Sequence, residues 1–294
     1  MPTTPTERLR EIVETRVHDP EAITRAAAER VRATSPVGEH GKAMIIAADH
    51  PARGALRAGA RPMAMADRAD LLDRLCAALA RPGVTGVLGT ADILEDLLLL
   101  GALDGKAVFG SMNRGGLSGA SWEIDDRFTG YDTAGVRDMG FDGGKMLLRL
   151  DYTDDRTPGT FEACARAVDE LNAARLMAMV EPFISHRTDG VVKNDLSPDA
   201  VTRSVAIASG IGRTSAYTWL KVPVVDEMER VLAASTLPAL LLGGELSADP
   251  EATYARWGAA LKLPTVKGLT VGRSLLYPAD DDVVGAVDTA VGLL

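Results

Sequence analysis

The chain has 294 residues, of which 46% are hydrophobic and 25% charged, with a formal net charge of -9. This is ordinary globular composition, enough for one large domain or two small ones with a sizeable core. The acidic balance argues against a nucleic-acid or anionic-membrane partner but leaves room for a local basic pocket.

No apolar run at the N-terminus resembles a signal peptide, and no stretch of about 18 apolar residues suggests a membrane span. Cys76 and Cys164 both fall in helix-like stretches. That argues against a disulfide framework and sets the expectation of a reducing cytoplasm.

In chain order, residues 1–40 read as a helical extension outside the main domain. Pro5-Thr6-Glu7 opens one charged helix, and Asp19-Pro20-Glu21-Ala22 opens a second, with Asp19 as its N-cap. Residues 41–294 then alternate between apolar runs and amphipathic helices. The runs are Ala43–Ala48, Val84–Gly89, Ala107–Gly110, Gly144–Leu150, Leu176–Phe183, Tyr217–Val225, Leu237–Gly244 and Val266–Arg273. Helices are expected over 67–80, 91–100, 132–139, 158–173, 197–209, 226–234, from 249 onward, and over 281–293. A long Gly-rich loop spans 113–130.

Strands this apolar along their whole length belong to a parallel sheet covered on both faces. Eight βα units over roughly 250 residues is the size of a single closed TIM (β/α)8 barrel. A doubly wound open sheet is the alternative, but no G-x-G-x-x-G follows an early strand.

In such a barrel the active site gathers at the C-terminal ends of the strands. The polar residues there are Asp49 and His50 after the first run, Thr90 and Asp92 after the second, and Ser111, Asn113 and Arg114 after the third. Lys145 and Arg149 lie in the fourth, Glu181 in the fifth and Lys221 in the sixth.

Lys145, Glu181 and Lys221 each interrupt an apolar run on neighbouring strands. A buried lysine either finds a carboxylate or gives up its proton. Two ammonium groups flanking one glutamate push one amine toward the neutral, nucleophilic form that Schiff-base chemistry requires. The plainer reading of the same three residues is a structural ion-pair network.

Gly243-Gly244 and Gly272-Arg273 follow the seventh and eighth runs, where many barrels bind phosphate. Glycine lets the backbone approach an anion, and arginine adds a bidentate donor. Ordinary turns would also explain the glycines. His18, His40, His50 and His186 show no metal-binding spacing, so no metal and no cofactor is expected.

The ordered set of Asp49-His50-Pro51, Lys145, Glu181, Lys221-Val222-Pro223, Gly243-Gly244 and Gly272-Arg273 resembles the class I aldolase superfamily. That superfamily contains deoxyribose-phosphate, archaeal-type fructose-bisphosphate and tagatose-bisphosphate (LacD-type) aldolases. Within it the set resembles a LacD-like branch often found beside inositol-catabolism genes, and the likeness covers roughly residues 43–275.

The resemblance implies a metal-independent aldolase acting on a phosphorylated sugar or sugar acid, with dihydroxyacetone phosphate or a similar compound as partner. Lys221 would form the Schiff base. Lys145, Glu181 and Asp49 would handle protons and hydroxyls, and Gly243, Gly244, Gly272 and Arg273 would hold the phosphate. The sequence departs from the pattern after the first strand, where the family often has Asp-Gln-Arg-Gly, and in the long loop after the third.

Two other readings stand beside this one. One is a metal-dependent lyase or isomerase using Asp49, His50, Glu181 and His186. The other is a non-catalytic anion-binding barrel. A homo-oligomer is also expected, because barrels of this kind frequently assemble.

Overall fold

A two-residue period sorts the strands' side chains onto two faces, and those faces become two cores. The computed structural model describes residues 4–244 and 249–294. Two charged helices open it, α1 (Pro5–His18) and α2 (Ala22–Glu29). Thr4 closes a capping box with Glu7 at the start of α1, which satisfies two amides that have no partner inside the helix. Asp19 corrects the expectation: it ends α1, and α2 begins at Ala22 without a side-chain cap.

The alternating units follow as β1 (Ala43–Ala47), α3 (Arg68–Leu79), β2 (Gly86–Gly89), α4 (Ala91–Leu99), β3 (Ala107–Ser111), α5 (Thr133–Asp138), β4 (Gly143–Leu150), α6 (Thr157–Ala173) and β5 (Met177–Thr188). Next come β6 (Val191–Asn194), α7 (Pro198–Ser209), β7 (Thr218–Pro223), α8 (Met228–Leu232), β8 (Ala239–Leu242), α9 (Pro250–Ala260), β9 (Val266–Val271), α10 (Arg273–Leu276) and α11 (Val283–Val291). Asp67, Asp132, Ser197, Asp249 and Asp282 cap their helices through side-chain oxygens, as expected where a polar residue precedes an amphipathic run.

Every strand but β6 pairs in parallel. The order β4-β3-β2-β1-β9-β8-β7-β5 closes through β4–β5 into a single eight-stranded TIM barrel ringed by helices. The strand expected to be sixth is therefore β7. β6 is an addition: β5 runs past the barrel rim and β6 returns antiparallel on it from Val191. Among the described residues no helix is long and apolar enough to cross a membrane.

The outer core lies between strands and helices and holds Met44, Ile46, Val108, Leu148, Val180 and Val222 among others. The inner core fills the lower barrel with the alternate residues, including Ile45, Leu88, Phe109, Met179 and Leu240. Continuing upward along the inner face, the residues become Asp49, Ser111, Lys145, Glu181 and Lys221. All five are buried.

β9 departs from regular pairing. Ala239 aligns with Val266 and Leu240 with Gly268, so Lys267 is an extra residue, a β-bulge. Gly268 sits at φ +139°, and a Cβ there would lie 2.0 Å from the Ala43 carbonyl oxygen. Beyond the bulge Leu269 and Val271 join the outer core, while Thr270 and Gly272 line the cavity at the barrel mouth.

Candidate active site

Inside the mouth, the strand tips bring together one chain of charges. Lys221 Nζ on β7 donates to Glu181 Oε1 on β5 at 2.7 Å. The other oxygen, Glu181 Oε2, lies 2.5 Å from Lys145 Nζ on β4. Lys145 Nζ also donates to Asp49 Oδ2 at 3.1 Å, just past β1. Asp49 Oδ2 further accepts from Ser111 Oγ at 2.9 Å and pairs with Arg114 Nη1 at 3.2 Å.

Glu181 is thus clamped between two amines, and Lys145 between two carboxylates. The register of β4, β5 and β7 sets this spacing: Lys145 lies opposite Met179, two residues before Glu181, and the β5–β7 pairing reaches Val180↔Leu220, the residues just before Glu181 and Lys221.

The electrostatics follow from burial and from charge count. Two carboxylates face three cations, of which the Arg114 guanidinium is permanently charged. The cluster balances when one lysine is neutral. Burial pushes the Lys145 ammonium down, Arg114 adds to that push, and Asp49 and Glu181 resist it, leaving its pKa at about 8.

For Glu181, burial favours the acid form, but Lys145 and Lys221 outweigh it and hold the carboxyl well below its usual range. Asp49 is likewise pushed up by burial and carried far down by Arg114 and Lys145. Both therefore stand as carboxylates.

The cluster forms one side of a cavity of about 1040 Å³. Gly243, Gly244, Gly272 and Arg273 line the same cavity at the ends of β8 and β9. Gly272 is required by close approach, since a Cβ would lie 2.3 Å from the Ala47 carbonyl oxygen. Thr270 Oγ1, on the cavity wall, is buried without a hydrogen-bond partner, and so is Ser274 Oγ. Arg273 Nη1 donates to the Arg57 carbonyl at 3.2 Å. All eight residues singled out in the sequence therefore line one cavity.

Other expectations divide. His50 lines the cavity beside Asp49, with Nδ1 at 3.9 Å from Asp49 Oδ1. His186 does not join it: this residue is exposed on the rising end of β5. Asp49 and Glu181 are occupied by lysines, and among the described residues no group of His, Cys, Asp or Glu is arranged to hold a metal ion.

The long loop proved more important than the sequence indicated. Asn113 exchanges two hydrogen bonds with the Leu147 backbone on β4, which fixes the loop's start. Arg149 makes a bidentate pair with Asp126 and also reaches Glu123, which in turn meets Arg53 at 3.3 Å. This second buried network ties the loop to β4 and to the turn after β1. Arg114, which the sequence placed at a strand tip without a role, is thereby delivered onto Asp49.

The Cgl0159-like family profile matches residues 41–291. The crystal structure of Cgl0159 from Corynebacterium glutamicum is 53% identical over all of this chain and 98% of that one, with a TM-score of 0.96. An archaeal fructose 1,6-bisphosphate aldolase is similar in fold at 16% identity, covering 92% of this chain and 98% of its own, with a TM-score of 0.65. The fructose-bisphosphate aldolase of Slackia heliotrinireducens follows at 15% identity, 96% and 91% coverage, and a TM-score of 0.60. No curated protein matches the chain.

Proposed function

For this chain, which belongs to the Cgl0159-like family and has a class I aldolase-like fold, we propose the activity of a Schiff-base aldolase on a phosphorylated sugar or sugar acid. The observation that carries the proposal is the buried Glu181 carboxylate held between Lys221 at 2.7 Å and Lys145 at 2.5 Å. Lys221 is the better nucleophile by position. It has one carboxylate contact, whereas Lys145 is held by two.

In the proposed reaction, Lys221 passes its proton through Glu181 to Lys145, the lysine that burial brings down to about 8, and the freed amine attacks the substrate carbonyl. The resulting carbinolamine loses water with proton transfer through Glu181, forming an iminium. The hydroxyl beside the scissile bond then gives its proton to a carboxylate of the Glu181–Lys145–Asp49 chain. The carbon–carbon bond breaks, the aldehyde leaves, and its electron pair moves into the iminium as an enamine. Protonation at carbon and hydrolysis return Lys221 and release the ketone. Each residue in the chain already touches the next, so protons move without large rearrangement.

The anionic end of the substrate is assigned to the β8–β9 side. Backbone lining the cavity at Gly243, Gly244 and Gly272, the Arg273 guanidinium and the unpartnered Thr270 hydroxyl all suit a phosphate there. The LacD-like affinity, the link to inositol breakdown, a cytoplasmic site of action and a homo-oligomeric state belong to the same proposal.

Borohydride reduction in the presence of dihydroxyacetone phosphate and related ketones, read by intact mass and peptide mapping, tests it. A stable adduct on Lys221 is expected, and it should vanish in Lys221→Met. An adduct on Lys145 would exchange the two lysines' roles. Failure of every ketone to give an adduct would overturn the aldolase reading.

A further inference from the structure

Arg114 has a feature that the ion-pair chain does not use. It is 5% exposed. Its Nη1 lies 3.2 Å from Asp49, and its Nε donates to the Asn113 carbonyl at 2.9 Å. Its Nη2 is buried without any hydrogen-bond partner, although the residue lines the cavity. Leaving a buried guanidinium N–H unsatisfied forfeits its hydration without a compensating bond.

The cost is not accidental flexibility. Asn113 is pinned by its paired hydrogen bonds to Leu147, and the Arg114 amide donates to Thr129 Oγ1 at 3.3 Å. Two carboxylates of the same loop, Glu123 and Asp126, are taken by Arg149 and Arg53. The fold therefore holds a charged donor at the cavity wall and withholds protein acceptors from it.

Position around the barrel says which part of a substrate it would meet. In the ring order β1-β2-β3-β4-β5-β7-β8-β9, the end of β3 stands opposite β8. Lys221 on β7 and the glycines after β8 and β9 thus occupy one side. Lys145 on β4 and Arg114 just past β3 occupy the other, and Asp49 reaches them from the end of β1. A ketone joined to Lys221 with its anion toward β8 and β9 directs its remaining carbons across the mouth toward Arg114.

We infer that Arg114 is a specificity-determining residue, whose free Nη2 donates a hydrogen bond to a hydroxyl or carboxylate oxygen on the aldehyde-side half of the substrate. The inference rests on the aldolase reading. It adds that the aldehyde partner is oxygenated next to its reacting carbon. A guanidinium does not exchange its proton in this pH range, so the role is recognition and charge balance rather than proton transfer.

The test uses the ketone that borohydride fixes on Lys221 in the wild-type protein, with glyceraldehyde and propanal as alternative acceptors. Wild type should prefer glyceraldehyde, because a site that hydrogen-bonds a hydroxyl penalises its absence. In Arg114→Met the ratio of kcat/KM for glyceraldehyde over propanal should fall at least about tenfold, a ratio in which any change in adduct formation on Lys221 cancels because it is common to both acceptors. In Arg114→Lys, which keeps the charge and guards against a folding defect, part of the preference should return, since an ammonium lacks the planar fork.

Equal losses for both acceptors in both variants would show that Arg114 only supports Asp49, and would overturn the inference. A wild-type protein that prefers propanal would overturn it as well. The aldolase reading fails by a different sign, the absence of any adduct in wild type, and takes this inference with it.

Discussion

His50 follows Asp49 directly and faces the same cavity, yet it does not share the cluster's charge. Burial pushes its imidazole down, Asp49 pulls it up, and Arg273, Lys221 and Arg114 push it down again, to about 3. The unfolded chain would protonate this histidine near 6.5. Between those values the unfolded state binds the proton and the folded state does not, so stability falls as pH drops below about 6.5.

Asp49 and Glu181 act in the same direction, but only below the ordinary carboxylate range, because their folded pKa values are depressed. The window from pH 6.5 to 5 therefore isolates His50, where the loss is on the order of 2 kcal/mol. Thermal unfolding at several pH values should show the wild-type Tm declining through that window, and His50→Gln should flatten the decline. An unchanged slope in the variant would mean that the imidazole takes up its proton in the folded state.

The residues of the ion-pair chain were readable because each breaks an apolar run, and an apolar run is the least ambiguous signal of a barrel strand. Arg114 was not readable in the same way. It lies in a loop, where neighbours in space cannot be deduced from spacing. Only Asn113's attachment to β4 and the Arg149–Asp126–Glu123 network bring it to Asp49.

At the scale of elements, alternation located all eight barrel strands but missed β6 and the bulge. The signal for β6 was present. Asp189-Gly190 at φ +52° and +80° is the two-residue turn that joins two antiparallel strands. The polar residues after Phe183 obscured it, because of the last four positions of β5 only Ser185 is buried.

The bulge at Lys267 had no such signal. Read without it, Val266, Gly268 and Thr270 share a face. The register at Gly268 reverses the faces, which puts Leu269 and Val271 outward and Thr270 and Gly272 toward the cavity. Gly268→Ala should destabilise the protein by about 3 kcal/mol or more, because an L-residue resists φ +139° and its Cβ would strike the β1 backbone. Denaturant unfolding measures this directly. A loss under about 1 kcal/mol would mean that β9 slips back into regular pairing, in which case substrate binding should be lost instead.

Over the whole molecule, charge is distributed unevenly. The chain carries a net charge of -9, yet lysines and arginines outnumber acids along the cavity wall. Arg57, Lys193 and Arg256 line it without an ion-pair partner among the described residues. Such an arrangement concentrates anions at the mouth while the remaining surface repels them. Net charge alone argued mildly against a nucleic-acid partner but could not reveal this polarity, which depends on where strand ends and loops meet.

The closing seam of the barrel runs from Gly143↔Met177 through Leu150↔Ile184, whereas β3–β4 pairs only over Phe109–Ser111 and β5–β7 only over Ala178–Val180. β4, α6 and β5 also follow one another in the chain, so this longest ladder belongs to a single local unit. Opening fluctuations should part the short seams on either side before this one. In native-state hydrogen exchange, the amides of Lys145 through Leu148 and Met179 through Glu181 should be among the last to take up deuterium. The two side chains that hold each other most tightly would then stand on the part of the backbone that opens least often, with Lys221 across a looser boundary, free to shift as it gains and loses a substrate.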